Sequence, residues 1–516
     1  MSLIKSSMTV GGLTMVSRVL GFIRDILLAR FLGAGMAADA FFVAFKLPNL
    51  FRRLFAEGAF SAAFVPLFSQ NLEEGDDKAR RFAEDVLASL LPILLLFTAL
   101  VEAGMPWVIL ALTGGFHGAG PEKFELAVDL TRLTFPFLAL ISLVSLMGGV
   151  LNGLGKFAAA AAAPILLNIF MISTLILFHD GEAKTALSLA TAVTLSGLAQ
   201  FIWLLVICYK NGMRLYLRFP RLSDEVKTML VIMAPAAIGA GAMQLNVLID
   251  TILASRFLPE GSISYLYFGD RLNQLPIGVI GVAVGTVLLP TLARQIKRDE
   301  KHVAIHSQNR AIEFALFLTL PAALGLITIP DEILRVLFER GSFDALATQK
   351  SAAALGAYAL GLPAYVLIKT LTPGFFARKD TRTPVRIAIF AVVTNSILGV
   401  ILMLFLAHVG LALATAISAW LNAGLLYAVL HRRGHFHIDA TLLKRLPRMA
   451  FSGAVMVPVL WGLTKLLGSW LGAGGALAIV ALALMIVAAV AVYGLCTLLF
   501  GALALSDLKA FTKRSA

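Results

Sequence analysis

Charge is what this sequence has least of. Asp, Glu, Lys and Arg make up only 14% of its 516 residues, whereas a water-soluble chain carries roughly 25%. Hydrophobic residues take 59%, and mean hydropathy is +0.87. So many apolar side chains have no place to hide in water, which excludes a cytosolic enzyme or a disordered chain and leaves a polytopic membrane protein. Cysteine is nearly absent. Cys208 and Cys496 each lie in an apolar stretch, so no disulfide scaffold is present and nothing follows about redox compartment. Catalytic motifs are also missing. The nearest string to a Walker A loop, GLGKF at Gly153–Phe157, lacks the first glycine and the Ser/Thr. There is no HExxH and no carboxylate cluster suited to Mg²⁺–diphosphate chemistry. His302 and His306 share one polar stretch, and His431, His435 and His437 another. Without a cysteine or acidic partner they read as solvated loop histidines, not metal ligands. The chain is therefore expected to be no enzyme, with no metal and no cofactor. Any transport it performs would draw on Na⁺ or H⁺ coupling, the membrane potential or the substrate's own gradient.

What is present is a series of apolar runs of about 20 residues, long enough to cross the hydrocarbon core as helices. Thirteen are plain: 10–32, 86–112, 128–152, 158–178, 185–208, 228–254, 268–293, 311–329, 351–376, 386–407, 409–430, 449–467 and 473–502. The stretch Ala37–Phe68 is too polar for hydropathy alone, yet charge counting requires it. With fourteen spans and both ends inside, the cytoplasmic segments hold 27 Lys and Arg and the outer loops 7. That is a clear positive-inside bias, and omitting the amphipathic span would invert every later loop. The net charge of +13 thus belongs to membrane topology, and nucleic acid is not an expected partner. Arg18, Arg24 and Asp25 interrupt the apolar core that a signal peptide needs, so the first span reads as uncleaved. A multi-pass protein of a cytoplasmic membrane follows.

The chain also resembles itself at an offset near 225. RDILLARFL (Arg24–Leu32) resembles IDTILASRFL (Ile249–Leu258), pairing Asp25 with Asp250. Asn49 and Pro66 match Asn273 and Pro290; Pro136 and Asn168 match Pro363 and Asn395. A repeat of six spans keeps both copies pointing the same way, related by an axis along the membrane normal. The fold class expected is all-α: two parallel six-helix lobes, 1–222 and 223–433, plus two extra C-terminal helices in 434–516. The connector RLYLRFPRLSDEVK (Arg214–Lys227) is basic and polar, as a cytoplasmic link should be.

Nine basic residues remain inside spans: Arg18, Arg24, Arg30, Lys46, Arg52, Arg53, Arg132, Arg271 and Lys369. Each would cost about 2.5–3.5 kcal/mol at a helix centre, so they should face a polar interior. Arg30 and Arg132 lie near helix ends and can snorkel. In the second span Asp39, Lys46, Arg53 and Glu57 are spaced by seven, seven and four, which puts them on one helix face. Internal ion pairing with Asp25, Asp39, Glu57, Asp250 and Asp270 is the plainer reading. A water-filled cationic cavity for an anion is the stronger one, because arginines suit bidentate contact with phosphate. A cationic cavity between parallel repeats is the layout of an alternating-access carrier.

Four strings then become familiar. SRVLGFIRD (Ser17–Asp25), ADAFFVAFKLPNLFRRLFAEGAFSAAFVPLF (Ala38–Phe68), DRLNQLPIGVIGVAVGTVLLPTL (Asp270–Leu292) and PGFFARKDTRTPV (Pro373–Val385) closely resemble the MurJ (MviN) family. Its members are bacterial lipid II flippases, in the superfamily of MATE antiporters and polysaccharide flippases. The resemblance implies a V-shaped pair of lobes, with a groove of helices 13 and 14 holding a polyprenyl tail. The substrate it implies is lipid II, the undecaprenyl-diphosphate-linked disaccharide pentapeptide, moved from inner to outer leaflet by a protein that works as a monomer among membrane lipids. It implies diphosphate contacts at Arg18, Arg24, Arg52 and Arg271. Ser17, Asp25, Asp39, Lys46, Asn49, Arg53, Glu57 and Asp270 then form a gating and counter-ion shell. Some members hold sodium, and Asp250, Asn395 and Thr415 match three ligands of that site. A second acid is expected one turn after Asn395, where Gly399 stands, and pairing of Asp250 with Lys369 is the competing reading. The rival functions are a flippase for another polyprenyl-diphosphate glycan, a MATE-like antiporter of cationic drugs, which should show an acidic cavity, and a polyprenyl transferase, which should show metal-binding carboxylates.

Overall fold

A computed structural model describes residues 3–52, 60–116 and 120–502, with the main chain alone for 3–7, 51, 235–243, 245, 279 and 282–286. Among the described residues every regular element is a helix, apart from one isolated bridge between Arg340 and Phe343. In chain order the helices are α1 (Leu3–Leu32), α2 (Met36–Phe51), α3 (Phe60–Glu74), α4 (Asp76–Ala103), α5 (Met105–Thr113), α6 (Pro121–Thr134), α7 (Phe137–Gly153), α8 (Phe157–Leu177), α9 (Glu182–Lys210) and α10 (Asp224–Phe257). They continue with α11 (Ser262–Lys297), α12 (Lys301–Thr328), α13 (Pro330–Phe338), α14 (Ala345–Leu360), α15 (Leu362–Phe376), α16 (Arg382–Arg432), α17 (Ala440–Leu466), α18 (Gly468–Ala473) and α19 (Gly475–Leu499).

Nine segments among the described residues are long and apolar enough to cross a membrane, by length and composition. The longest, Arg382–Arg432, has 51 residues, or about 76 Å at 1.5 Å per residue, against roughly 30 Å of hydrocarbon. The helix breaks at Ala407, whose φ of 48° and ψ of −131° are not helical. Just beyond, a side chain on Gly410 would run into the backbone of Leu402. The two halves fold back on each other, matching the spans read at 386–407 and 409–430. The expected spans outside these nine segments are α1, α2 with α3, α10 and α11, which carry Arg18, Arg24, Asp25, Asp39, Lys46, Asp250, Asp270 and Arg271. Outward faces of α4, α9, α16 and α19 expose Leu96, Trp203, Phe405 and Val487, as a lipid-contacting surface would.

The chain divides into two compact units. The first is Met1–Ser264 with Arg340–Phe343, and the second Tyr265–Glu339 with Asp344–Ala516. In the first, α8 lies between α1 and α9, and α7 packs on α9, α3 and α4. Phe60, Phe64 and Phe68 recur every four residues, stack along one face of α3, and take Phe82 of α4 into the stack. Gly149 is required there, because a methyl group on it would stand 2.7 Å from the Phe64 ring. Helix α10 belongs to this unit: Ser255 Oγ donates to the Leu112 carbonyl at 3.3 Å, and Arg256 to that of Ala111 at 2.5 Å. The connector after α9 is pinned by Glu84 of α4, which is fully buried, accepts the Tyr216 N–H at 3.1 Å and forms an ion pair with Arg218 Nε at 2.6 Å. In the second unit α12 packs on α15 and α17, α14 and α15 on α16, and α17 on α19. Met456, Leu460, Met485 and Tyr493 lie in the core that joins α17 to α19.

Candidate substrate site

The first unit holds most of the residues singled out in the sequence. Arg24, only 8% exposed, lies next to the fully buried Asp25 on α1. Its Nε and Nη2 donate to Asp25 Oδ1 at 3.0 and 2.7 Å, and its Nη1 to Asn168 Oδ1 on α8 at 3.0 Å. Asn168 Nδ2 in turn donates to the Ser17 carbonyl at 3.0 Å, so Ser17 enters through its backbone. Charge-assisted bonds of this length hold the planar guanidinium in one orientation. Arg18 is exposed one face away on α1.

On α2 the half-buried Lys46 donates to Thr251 of α10. Arg52, at the end of α2, donates through Nε to Asn49 Oδ1 at 2.9 Å. Arg52 also lines a cavity of about 170 Å³ inside this unit, whose other polar walls are Ser61, Ser145, Asn152 and Gln200. Arg53 and Glu57 lie outside the described residues.

Asp39, 1% exposed, is saturated. Its Oδ2 accepts Lys123 Nζ at 2.9 Å and the Gly261 N–H at 2.8 Å, and its Oδ1 accepts the Ser264 N–H at 3.0 Å and Ser264 Oγ at 2.6 Å. The carboxylate thus caps the first turn of α11, where unsatisfied N–H groups and the helix dipole favour an anion. Lys123 is a finding here. The sequence places it among the outer-loop cations, but it is 3% exposed and stands 4.9 Å over the Phe116 ring.

In the second unit Asp270 and Arg271 sit together on α11, both half-buried, and Gln274 donates to Asp270 at 2.5 Å. Among the candidate ion ligands, Asp250 lies on α10 of the first unit, and Asn395 and Thr415 on the two halves of α16 in the second. Asn395 is fully buried and accepts Ser418 Oγ at 3.4 Å, while Thr415 donates to the Leu411 carbonyl. Lys369 lies across Gly281, where an added Cβ would stand 2.7 Å from its Nζ. Among the described residues no group of three His, Cys, Asp or Glu could hold a metal ion, and both cysteines are free.

Asn168, Lys123 and Gln200 are the residues that reading one sequence does not single out as site residues. Only Asn168 carried a signal, its match to Asn395 in the repeat. The chemistry of the arrangement is that of cations held by amide and carboxylate partners, suited to exchanging those partners for an oxyanion.

Known proteins resolve the kinship. The family described as "Lipid II flippase MurJ" matches residues 28–497. A "Probable lipid II flippase MurJ" of Rhizobium tropici is 45% identical over 520 residues, covering 100% of this chain and 97% of that one. One of Vibrio cholerae is 40% identical, covering 99% and 98%. Among solved structures, "Lipid II flippase MurJ, inward closed conformation" aligns with a TM-score of 0.78 at 28% identity, covering 95% of this chain and 98% of that one. An inward-facing multidrug MATE transporter aligns with a TM-score of 0.67 at 17% identity, covering 83% and 97%, and shares the fold alone. The four strings at Ser17, Ala38, Asp270 and Pro373 thus point where the whole chain does: it belongs to the lipid II flippase MurJ family.

Proposed function

We propose that this protein is a lipid II flippase of the bacterial cytoplasmic membrane. It carries the polyprenyl-diphosphate-linked headgroup from the inner to the outer leaflet by alternating access, through fourteen spans in two repeats with both termini inside. The observation that carries the reading is the 45% identity, over the whole chain, to a relative named for that activity. In this reading Arg18, Arg24, Arg52 and Arg271 bind the diphosphate. Support comes from Arg24, whose fork is already presented to one carboxylate and one carboxamide oxygen. Asp25 then stands where a phosphate oxygen would compete, and substrate binding exchanges one anion for another. Asp39, Lys46, Asn49, Arg53, Glu57 and Asp270 form the surrounding gating and counter-ion shell. With the inside negative, moving an anion outward is favoured by about 2.3 kcal/mol per charge per 100 mV, so the potential itself can drive the step. Ion coupling through Asp250, Asn395 and Thr415 is the accessory part of the proposal.

The test is complementation of cells depleted of this protein by Arg24→Ala, Arg24→Lys and Arg271→Ala, with membrane levels measured in parallel. Loss of growth with all three, at normal levels, is the expected result. The lysine variant keeps the charge but not the bidentate fork. Full rescue by Arg24→Ala and Arg271→Ala would sink the diphosphate assignment.

A further inference from the structure

The cavity beside Arg52 lies wholly inside the first unit, walled by α3, α7, α8 and α9. At about 170 Å³ it is smaller than the roughly 300–1,000 Å³ of pockets that hold whole ligands. It fits a substituent of a larger molecule. Among the described residues Arg52 is the one charged side chain in its wall and no acid lines it, which favours a guest other than a cation.

Two features specify the guest further. Gln200 is 1% exposed, lines the cavity, and its Nε2 has no hydrogen-bond partner. A buried amide donor left unmade is costly, so one that persists points to an acceptor it meets in function. The second feature is Gly148. A methyl group added there would stand 3.5 Å from Ala160 Cβ and 4.0 Å from Leu204 Cδ1, in ordinary contact. Neither close packing nor a left-handed backbone requires glycine at this position, in contrast to Gly149 next to it. Its missing side chain leaves a small apolar space in the cavity wall, one helical turn before Asn152.

We propose that this cavity receives an uncharged amide bearing a small methyl group, the chemistry of an acetamido sugar or of an alanyl peptide. The guest carbonyl accepts from Gln200 Nε2. Its N–H faces the oxygens of Asn152 and Ser145, and its methyl rests on the Gly148–Ala160 wall. A bare oxyanion would gain Arg52 but waste the aliphatic walls. The inference rests on the lipid II reading, since it gives part of that headgroup a subsite.

The experiment uses the full-length protein in lipid nanodiscs. Affinities are measured for lipid II, for lipid II with its sugar amines deacetylated, and for undecaprenyl diphosphate without sugar. Soluble N-acetylglucosamine and N-acetylalanine amide serve as competitors. Wild type should prefer acetylated lipid II by about tenfold, a typical effect for one specific contact or methyl group. Gln200→Leu should abolish that preference and Gly148→Ala should weaken it, both leaving the affinity for undecaprenyl diphosphate unchanged. Competition by the sugar alone assigns the acetamido group as guest, and competition by the peptide amide alone assigns the stem peptide. Equal binding of acetylated and deacetylated lipid by wild type, or an undiminished preference in Gln200→Leu, overturns the proposal and leaves the cavity to water. If wild type binds no polyprenyl-diphosphate lipid, the flippase reading fails instead. The cavity is then judged by thermal shift with the two soluble amides: a shift in wild type that is lost in Gln200→Leu supports it, and no shift overturns it.

Discussion

Replacing Asp39 by asparagine isolates one charge at a buried and heavily bonded side chain of the first unit. The carboxylate accepts four hydrogen bonds: one from the Lys123 ammonium, two from backbone N–H groups of Gly261 and Ser264, and one from the Ser264 hydroxyl. Both ion-pair partners are buried, with side chains 4% and 2% exposed. Asparagine keeps the volume and one acceptor oxygen. Its NH₂ group, however, would point donors at the Gly261 N–H and at Lys123, leaving a buried ammonium without its anion. Breaking a buried pair from one side costs about 3–5 kcal/mol. Asp39→Asn should therefore lower the unfolding free energy by that amount in a denaturant titration of the detergent-solubilised protein. Lys123→Met in the same background should recover part of the loss, with a coupling of about 0.5–3 kcal/mol in the double-mutant cycle. A single variant within about 0.5 kcal/mol of wild type, or strictly additive variants, would refute the burial argument.

Other outcomes follow from the same geometry. Asn168→Ala removes the carboxamide that joins Arg24 to the Ser17 carbonyl; it should cost about 1–3 kcal/mol in the same titration and reduce lipid II on the outer leaflet. Asp380 accepts the Thr383 hydroxyl at 2.6 Å, the Thr383 N–H at 3.0 Å and Arg433 Nη1 at 2.7 Å. The two Thr383 bonds first, then Arg433, hold its carboxyl well below the usual carboxylate range. Its folded pKa being depressed, its contribution is fully present above the ordinary carboxylate pKa and is lost as pH falls through the lower folded value. Asp380→Asn should accordingly speed amide exchange at the start of α16 near pH 7, and the difference from wild type should shrink in strong acid.

How far the sequence carried the reading depends on the kind of interaction. Membrane character follows from bulk composition, and nine long apolar helical segments among the described residues are its direct expression. The family was legible in four strings because they hold unusual charges in an apolar setting. What a single sequence hides is pairing at a distance. Lys123 looks like any loop cation until Asp39, 84 positions away, is seen to hold it. Pairing of Arg24 with its neighbour Asp25 can be read from the sequence, but its second partner, Asn168, lies 144 positions on. Gln200 sits in a long apolar helix where one amide reads as incidental, and only its unmet donor beside a cavity gives it meaning. The apolar runs at 386–407 and 409–430 already place the reversal in α16; what hydropathy does not supply is its form, a backbone break at Ala407 beside the missing side chain of Gly410.

The central claim is that this protein moves lipid II across the cytoplasmic membrane. Its most direct test is to deplete the protein in its own cell and quantify lipid II accessible on the outer leaflet. The account predicts that exposed lipid II falls, that lipid II accumulates inside, and that wild type restores exposure while Arg24→Ala does not. Unchanged exposure after depletion would contradict it and assign the cargo to another polyprenyl-linked glycan.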